Sequence, residues 1–312
     1  MPQLFDTYIV VDWSAAATKK TGANSIWIGT LSGDGGDQVQ FSAANPATRL
    51  AAREQLLDII QSQIARGQRV LIGFDFCFGY PAGTAAAFGL RRSNRPGWEV
   101  MHQFIAQGIE DRPDNANNRF KLAAELNAAS GGGPHPFWGV PKHLESETLS
   151  ARKGAFPIGK KPLEFRITEH WIKQRYQVRP KTVWQLLGAG AVGSQALMGI
   201  PTLNYLRSAI PDSQIWPFET GFTALDSRQL EATPCVFAEI YPSTLRFNLA
   251  DGDVLDRAQV HQLTYALRKC DHEGQLGKRF GPPADARNLP SNDTFSAISS
   301  TITDEEGWIL AI

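Results

Sequence analysis

The sequence predicts an α/β fold around a mixed sheet, built from an early β-β-β-α-β run and a late β-α-α run. A large, mostly helical and loop-rich insertion separates the two. Three stretches carry that reading. Tyr8–Ser14 (YIVVDWS) and Arg69–Asp75 (RVLIGFD) are apolar runs leading into an aspartate, Asp12 and Asp75. Cys235–Pro242 (CVFAEIYP) is a third apolar run with Glu239 inside it and a proline closing it. Short apolar runs rich in β-branched and aromatic residues read as strands buried on both faces. An acid delivered by each is costly to bury unless something compensates it.

The remaining elements fall between these strands. Ser25–Leu31 (SIWIGTL) reads as a second strand, Gly33–Asp37 as a tight turn, and Gln38–Ser42 as a third strand. Short connections make these three antiparallel neighbours. Pro46 opens a helix whose Leu50, Leu56, Leu57, Ile60 and Ile64 fall near helical spacing, and Gly67 ends it. That helix crosses over to the Arg69–Asp75 strand, parallel to the first. Helices are expected over Pro81–Leu90, Gly97–Glu110 and Asn117–Ala129, and a rigid loop over Gly131–Pro141. Thr182–Leu187 reads as a strand, followed by a glycine turn and a broken helix to Ile210, then a short strand at Ile215–Phe218. After the third acid-bearing strand come an amphipathic helix, Asp256–Cys270, and a second helix, Ser291–Ile302, with Asp293 in its first turn. Glu305–Ile312 reads as an extended tail. The domain boundaries expected are 1–81 and 231–312 for the two parts of the core, with 82–230 as insertion or cap.

Composition narrows the class. Hydrophobic residues make up 42% and charged residues 20% of the 312, the proportions of a globular chain with ample core. Lys+Arg and Asp+Glu both number 31, so formal net charge is zero, which argues against wholesale non-specific nucleic-acid binding. Ala151–Lys181 is locally basic, with nine Lys or Arg against two Glu, and Trp171 and Tyr176 are interleaved in it as a backbone-binding surface would have them. Cys77, Cys235 and Cys270 are odd in number and lack zinc spacing, so they read as reduced thiols of a cytoplasmic protein. Neither a signal peptide nor a membrane span is expected.

The strand order with acids on strands one, four and five and on a final helix looks like a ribonuclease H-like core. More closely, VDWS, GFDFxFGYP, AEIYP and the NDTFSA helix resemble the DUF429-type family of predicted ribonuclease H-fold nucleases, itself uncharacterised. The resemblance covers about half the chain and leaves the insertion outside. It maps the family's acids onto Asp12, Asp75, Glu239 and Asp293, and implies two Mg²⁺ or Mn²⁺ ions among them. Where the family often carries a second acid on the last helix, this chain has Ser296. The expected function is therefore metal-dependent hydrolysis of a phosphodiester, with nucleic acid or a phosphorylated small molecule as substrate. Lys19 and Lys20, in the loop after Asp12, are candidates to neutralise a phosphate.

Two other readings compete. A non-catalytic protein on the same fold would bind a ligand or partner without metal. Thr182–Ser194 (TVWQLLGAGAVGS) matches strand-then-GxGxxG, with Gly188, Gly190 and Gly193 in the three glycine positions, so a dinucleotide or a substrate phosphate is a candidate ligand there. Against the dinucleotide, Gly199-Ile200-Pro201 is expected to interrupt the following helix, and no second βαβ unit follows. Sugar kinases and actin share the strand order, but they place glycines directly after the first-strand Asp, where this chain has Trp13-Ser14.

Overall fold

Alternation along the first strand sets the architecture. In β1 (Thr7–Asp12), Ile9 and Val11 point to one face and join one apolar cluster, while Tyr8 and Val10 point to the other and join a second. The computed structural model describes residues 3–33, 39–131, 133–156, 162–249, 252–285 and 295–311. In it, β1 lies within a six-stranded sheet of order β3-β2-β1-β4-β6-β5. The other strands are β2 (Trp27–Gly33), β3 (Val39–Ala44), β4 (Val70–Phe74), β5 (Gln214–Ile215) and β6 (Cys235–Glu239). β1, β2 and β3 pair antiparallel, and β1-β4, β4-β6 and β6-β5 pair parallel. This is the ribonuclease H-like topology, with β6 as its fifth strand and the two-residue β5 added at the edge.

Helix α1 (Arg49–Ala65) makes the crossover from β3 to β4. It begins after Pro46, because the Thr48 side chain accepts from Ala51 N–H and caps it, and Gly67, at φ +76°, turns the chain out of it. The insertion contributes α2 (Thr84–Ala87), α3 (Gly97–Gly108), α4 (Arg119–Ala129), α5 (Ile167–Tyr176) and α6 (Val192–Ala209). The apolar sides of α1, α3, α4 and α6 share one cluster with Ile9, Ile72, Phe74 and Phe237. On the opposite face, α7 (Leu255–His272) and α8 (Leu276–Arg279) pack through Val260, Leu263, Leu267 and Leu276 on Tyr8, Val10, Leu71 and Val236. The chain ends with α9 (Phe295–Thr301), a π-helical turn over Ile302–Glu306, and an extended tail. Leu310 N–H donates to Glu239 O at 2.8 Å, so the tail pairs beside β6 as expected.

Four sequence expectations change. Pro81–Leu90 keeps only the short α2, because Pro81 and the left-handed Gly83 delay the helix. Thr182–Leu187 is a turn with a single bridge between Gln185 and Trp138, so no strand feeds the glycine turn. α6 runs unbroken through Pro201; the lost N–H costs one backbone bond, offset by burial of Leu197, Ile200, Leu203 and Leu206 in the core. The edge strand shrinks to Gln214–Ile215. Residues 34–37 of the expected turn, Gln38 of the expected third strand and residues 291–294, which include Asp293, lie outside the described residues.

Gly199 explains why α6 can press on the sheet. A Cβ there would meet ring atoms of the buried Phe76 at 2.4–2.6 Å. Gly199→Ala is expected to destabilise by about 1–3 kcal/mol through overpacking, despite the better helix propensity of alanine, read as a lower thermal midpoint.

Candidate active site

The parallel pairing of β1 with β4 aligns Val11 with Phe74, and the next residue on each chain is an aspartate. Asp12 and Asp75 therefore emerge side by side at the carboxyl ends of the two central strands, the usual location of sites in such sheets. Backbone groups fix the second of them. Asp75 N–H donates to Val11 O at 3.3 Å, and Trp13 N–H donates to Asp75 Oδ1 at 2.7 Å. Gln195, from the first turn of α6, donates to Trp13 O at 2.7 Å and to Asp75 Oδ2 at 3.4 Å.

The two carboxyls lie close enough to perturb each other's ionisation. Burial, aided by the charge of Asp75 and of Asp256, pushes Asp12 up to about 10. Burial also pushes Asp75 up, to about 7, although the Trp13 N–H opposes the shift. Two acids held this way favour one proton or one cation between them.

They open into a cleft of about 800 Å³. Asp256, in the first turn of α7, supplies a third acid, and Asn24 N–H donates to it at 2.6 Å. The lining also includes Lys20, Lys181 and Arg119, Gly188 and Gly190, and Tyr241-Pro242-Ser243. The Asp256–Cys270 helix was legible from sequence, and an acid in its first turn was the available signal. Nothing in the sequence marks Arg119 or Gln195.

Glu239 goes elsewhere. Phe74 pairs with Glu239, so the β6 residue in the row of Asp12 and Asp75 is Ile240. One residue of offset turns the side chain to the other face. There the Arg166 guanidinium donates to Glu239 Oε1 at 2.6 Å and to Oε2 at 2.8 Å, and Phe78 N–H donates to Oε2 at 2.9 Å. Arg166 also binds Glu169 and Glu306 O, and contacts Cys77 Sγ at 3.2 Å. Cys77, Glu169 and Glu239 lie close enough together to hold a metal ion, but Arg166 already supplies their cation. Glu239 is accordingly not among the residues lining the cleft.

The other sequence candidates divide. Lys20 lines the cleft and Lys19 does not. Gly188 and Gly190 line it with positive φ, whereas Gly193 is packed away: a Cβ would meet Val183 O at 2.4 Å, and its N–H donates to Gln185 O at 2.9 Å. Its N–H is thus spent within the protein rather than offered to a phosphate. The basic Ala151–Lys181 stretch is not a continuous surface track. Arg166 is fully buried, and Trp171, 6% exposed, packs on Trp308 and Tyr176 instead of offering a free face to a base. No helix among the described residues is long and apolar enough to cross a membrane.

Comparison of the chain with protein-family models, with curated proteins and with solved structures finds no match.

Two outcomes follow. Arg166→Met leaves Glu239 and Glu169 buried without a cation and is expected to cost about 3–5 kcal/mol, seen as a large drop in thermal midpoint. Asp75 has its folded value above its unfolded 3.8, so it favours folding when protonated and loses that contribution as pH rises toward 7. With divalent metal chelated, Asp75→Asn is therefore expected to gain thermal stability over the wild type from pH 5 to pH 8, reaching about 2 kcal/mol. An equal difference at both pH values would show that Asp75 does not titrate in this window.

Proposed function

We propose that the cleft hydrolyses a phosphodiester with the help of divalent metal held by Asp12 and Asp75, with Asp256 in the same cleft. The observation carrying the reading is the side-by-side emergence of Asp12 and Asp75 at the ends of adjacent parallel strands, where burial pushes both carboxyls up. The chemistry of the pair fits: Asp12 and Asp75 offer hard oxygens of the kind Mg²⁺ and Mn²⁺ take, Asp256 adds negative charge to the same cleft, and neither sulfur nor imidazole lines it. Bound there, such ions would supply Lewis-acid stabilisation of the charge that develops on phosphate oxygens. Membership of the DUF429-type family, argued from the VDWS, GFDFxFGYP and AEIYP stretches, points the same way as a proposal.

The chain's own residues have separable tasks in this scheme. Trp13 N–H and Gln195 hold the Asp75 carboxylate in one orientation, so that it need not reorganise when a ligand arrives. Asp12, at the end of the central strand, faces Asp75 and the α7 side, where Asp256 lies. Lys20 reaches the cleft from a flanking loop and offsets substrate charge. A second reading rests on the raised values of the two carboxyls. A carboxyl pair with one member near 7 and the other near 10 would serve as a metal-free acid–base couple.

Mn²⁺ titration by calorimetry separates the two. The metal reading expects saturable binding that weakens more than about tenfold in Asp12→Asn and in Asp75→Asn, with both variants folded. Absence of Mn²⁺ binding to folded wild-type protein, alone and with a phosphodiester present, would overturn it and leave the acid–base couple.

A further inference from the structure

Three arginines are buried among the described residues, and two have acids. Arg49 donates to Asp111 at 2.6 Å, and Arg166 to Glu169 and Glu239. The third, Arg119, is 8% exposed and has no acidic partner within 4 Å among the described residues. Its Nε donates to Ser194 Oγ at 2.9 Å and its Nη1 to Asn117 Oδ1 at 2.8 Å, both neutral acceptors, while Nη2 makes no hydrogen bond to the described residues. Burial and the neighbouring Arg49 charge push it down to about 10. The guanidinium also stacks over the Phe120 ring at 4.3 Å and feels the more distant Asp111 charge, but a buried cation with no acid in contact remains costly, and a bound anion would offset that cost.

Arg119 lines the same cleft as the carboxylates, as do Lys181, Gly188 and Gly190. Ser194 is itself buried and donates to Leu186 O at 2.6 Å, leaving its oxygen aimed at Arg119. The Lys181 chain passes so close to Gly190 that a Cβ there would meet Lys181 Cγ at 2.6 Å, which sets a second cation at the mouth of the pocket. A planar donor fork, a lysine and a left-handed glycine turn are the groups that receive a tetrahedral oxyanion.

We infer that Arg119, with Lys181 and the Gly188–Gly190 turn, forms a phosphate-binding subsite in the same cleft as Asp12 and Asp75. It takes a phosphoryl group of a small phosphorylated molecule. The inference of binding needs only this geometry; that the bound phosphate belongs to the substrate rests on the proposed hydrolysis. A cleft of about 800 Å³ is the size of a small-molecule pocket. Its lining mixes three cations with three acids, which gives a polymer backbone no continuous positive track.

The test is titration of inorganic phosphate into wild-type protein with divalent metal chelated, followed by calorimetry or by amide chemical shifts near Gly188. Saturable one-to-one binding is expected, weakened roughly tenfold or more by Arg119→Gln and several-fold by Lys181→Ala, and retained or tightened in Asp75→Asn. No saturable binding to the folded wild type, or an unchanged affinity in Arg119→Gln, overturns the subsite. Should Arg119→Gln fail to fold, the exposed Lys181→Ala decides, and an unchanged affinity there is equally fatal. Phosphate binding without Mn²⁺ binding would remove the hydrolysis reading and leave the subsite standing; Mn²⁺ binding without phosphate binding would do the reverse.

Discussion

The interaction on which much of this fold depends is the buried Arg166 guanidinium. It sits at the N-terminus of α5 in the insertion, yet it binds Glu239 at the end of β6 and the carbonyl of Glu306 in the C-terminal turn. One cation thereby joins three distant parts of the chain. Its setting is acid-rich: Glu169, Glu239 and Glu306 are all buried around it. A single positive charge cannot neutralise three carboxylates, and burial pushes Glu306 up to about 7 even though Ile167 and Ala82 donate their N–H groups to it. Such a cluster stabilises little relative to an apolar core, but it fixes which segments meet, because any other arrangement leaves a bare charge inside.

The same arithmetic runs with the opposite outcome at the cleft. Asp12 and Asp75 are brought together at the strand ends, and burial pushes both above the usual carboxylate range. The fold thus satisfies one acid cluster internally, through Arg166, and leaves a second pair of acids and an arginine without an acidic partner in one cleft. Unsatisfied charge of both signs in one cleft is a cost that structural packing does not require. Sites that bind charged ligands are where such costs are retained.

The core was readable from the sequence where one local rule was enough. Buried strands show as β-branched runs, and α1 shows through its spacing and Gly67. The acids Asp12 and Asp75 were legible because strand ends follow directly from the end of an apolar run. Glu239 was not, because its direction depends on register: Phe74 opposite Glu239 is a pairing between strands 165 residues apart in number, and one step of slip would have sent the acid to the other face. Pro201 misled for a related reason. Its local cost is real, but the burial of α6 outweighs it, and burial is a tertiary quantity. The GxGxxG match was likewise correct about the turn and silent about what precedes it, which is a turn and a single bridge instead of a strand.

The cleft also changes what the insertion is for. Residues 82–230 read from the sequence as a cap, a structure laid over a finished core. Yet Gln195, which orients Asp75, and Arg119, Lys181, Gly188 and Gly190 all come from that segment, while Asp12, Asp75 and Asp256 come from the core. Arg119 is held at the cleft by Ser194, at the start of α6, through its Nε and by Asn117 through its Nη1. α6 in turn is held against the sheet by the glycine contact with Phe76. A shift of α6 would move Gln195 and Ser194 together, and with them the orientation of Asp75 and of Arg119. On the proposed reading, the core carries the reacting end of the cleft and the insertion carries recognition. Coupling through one helix means that neither half is assembled without the other.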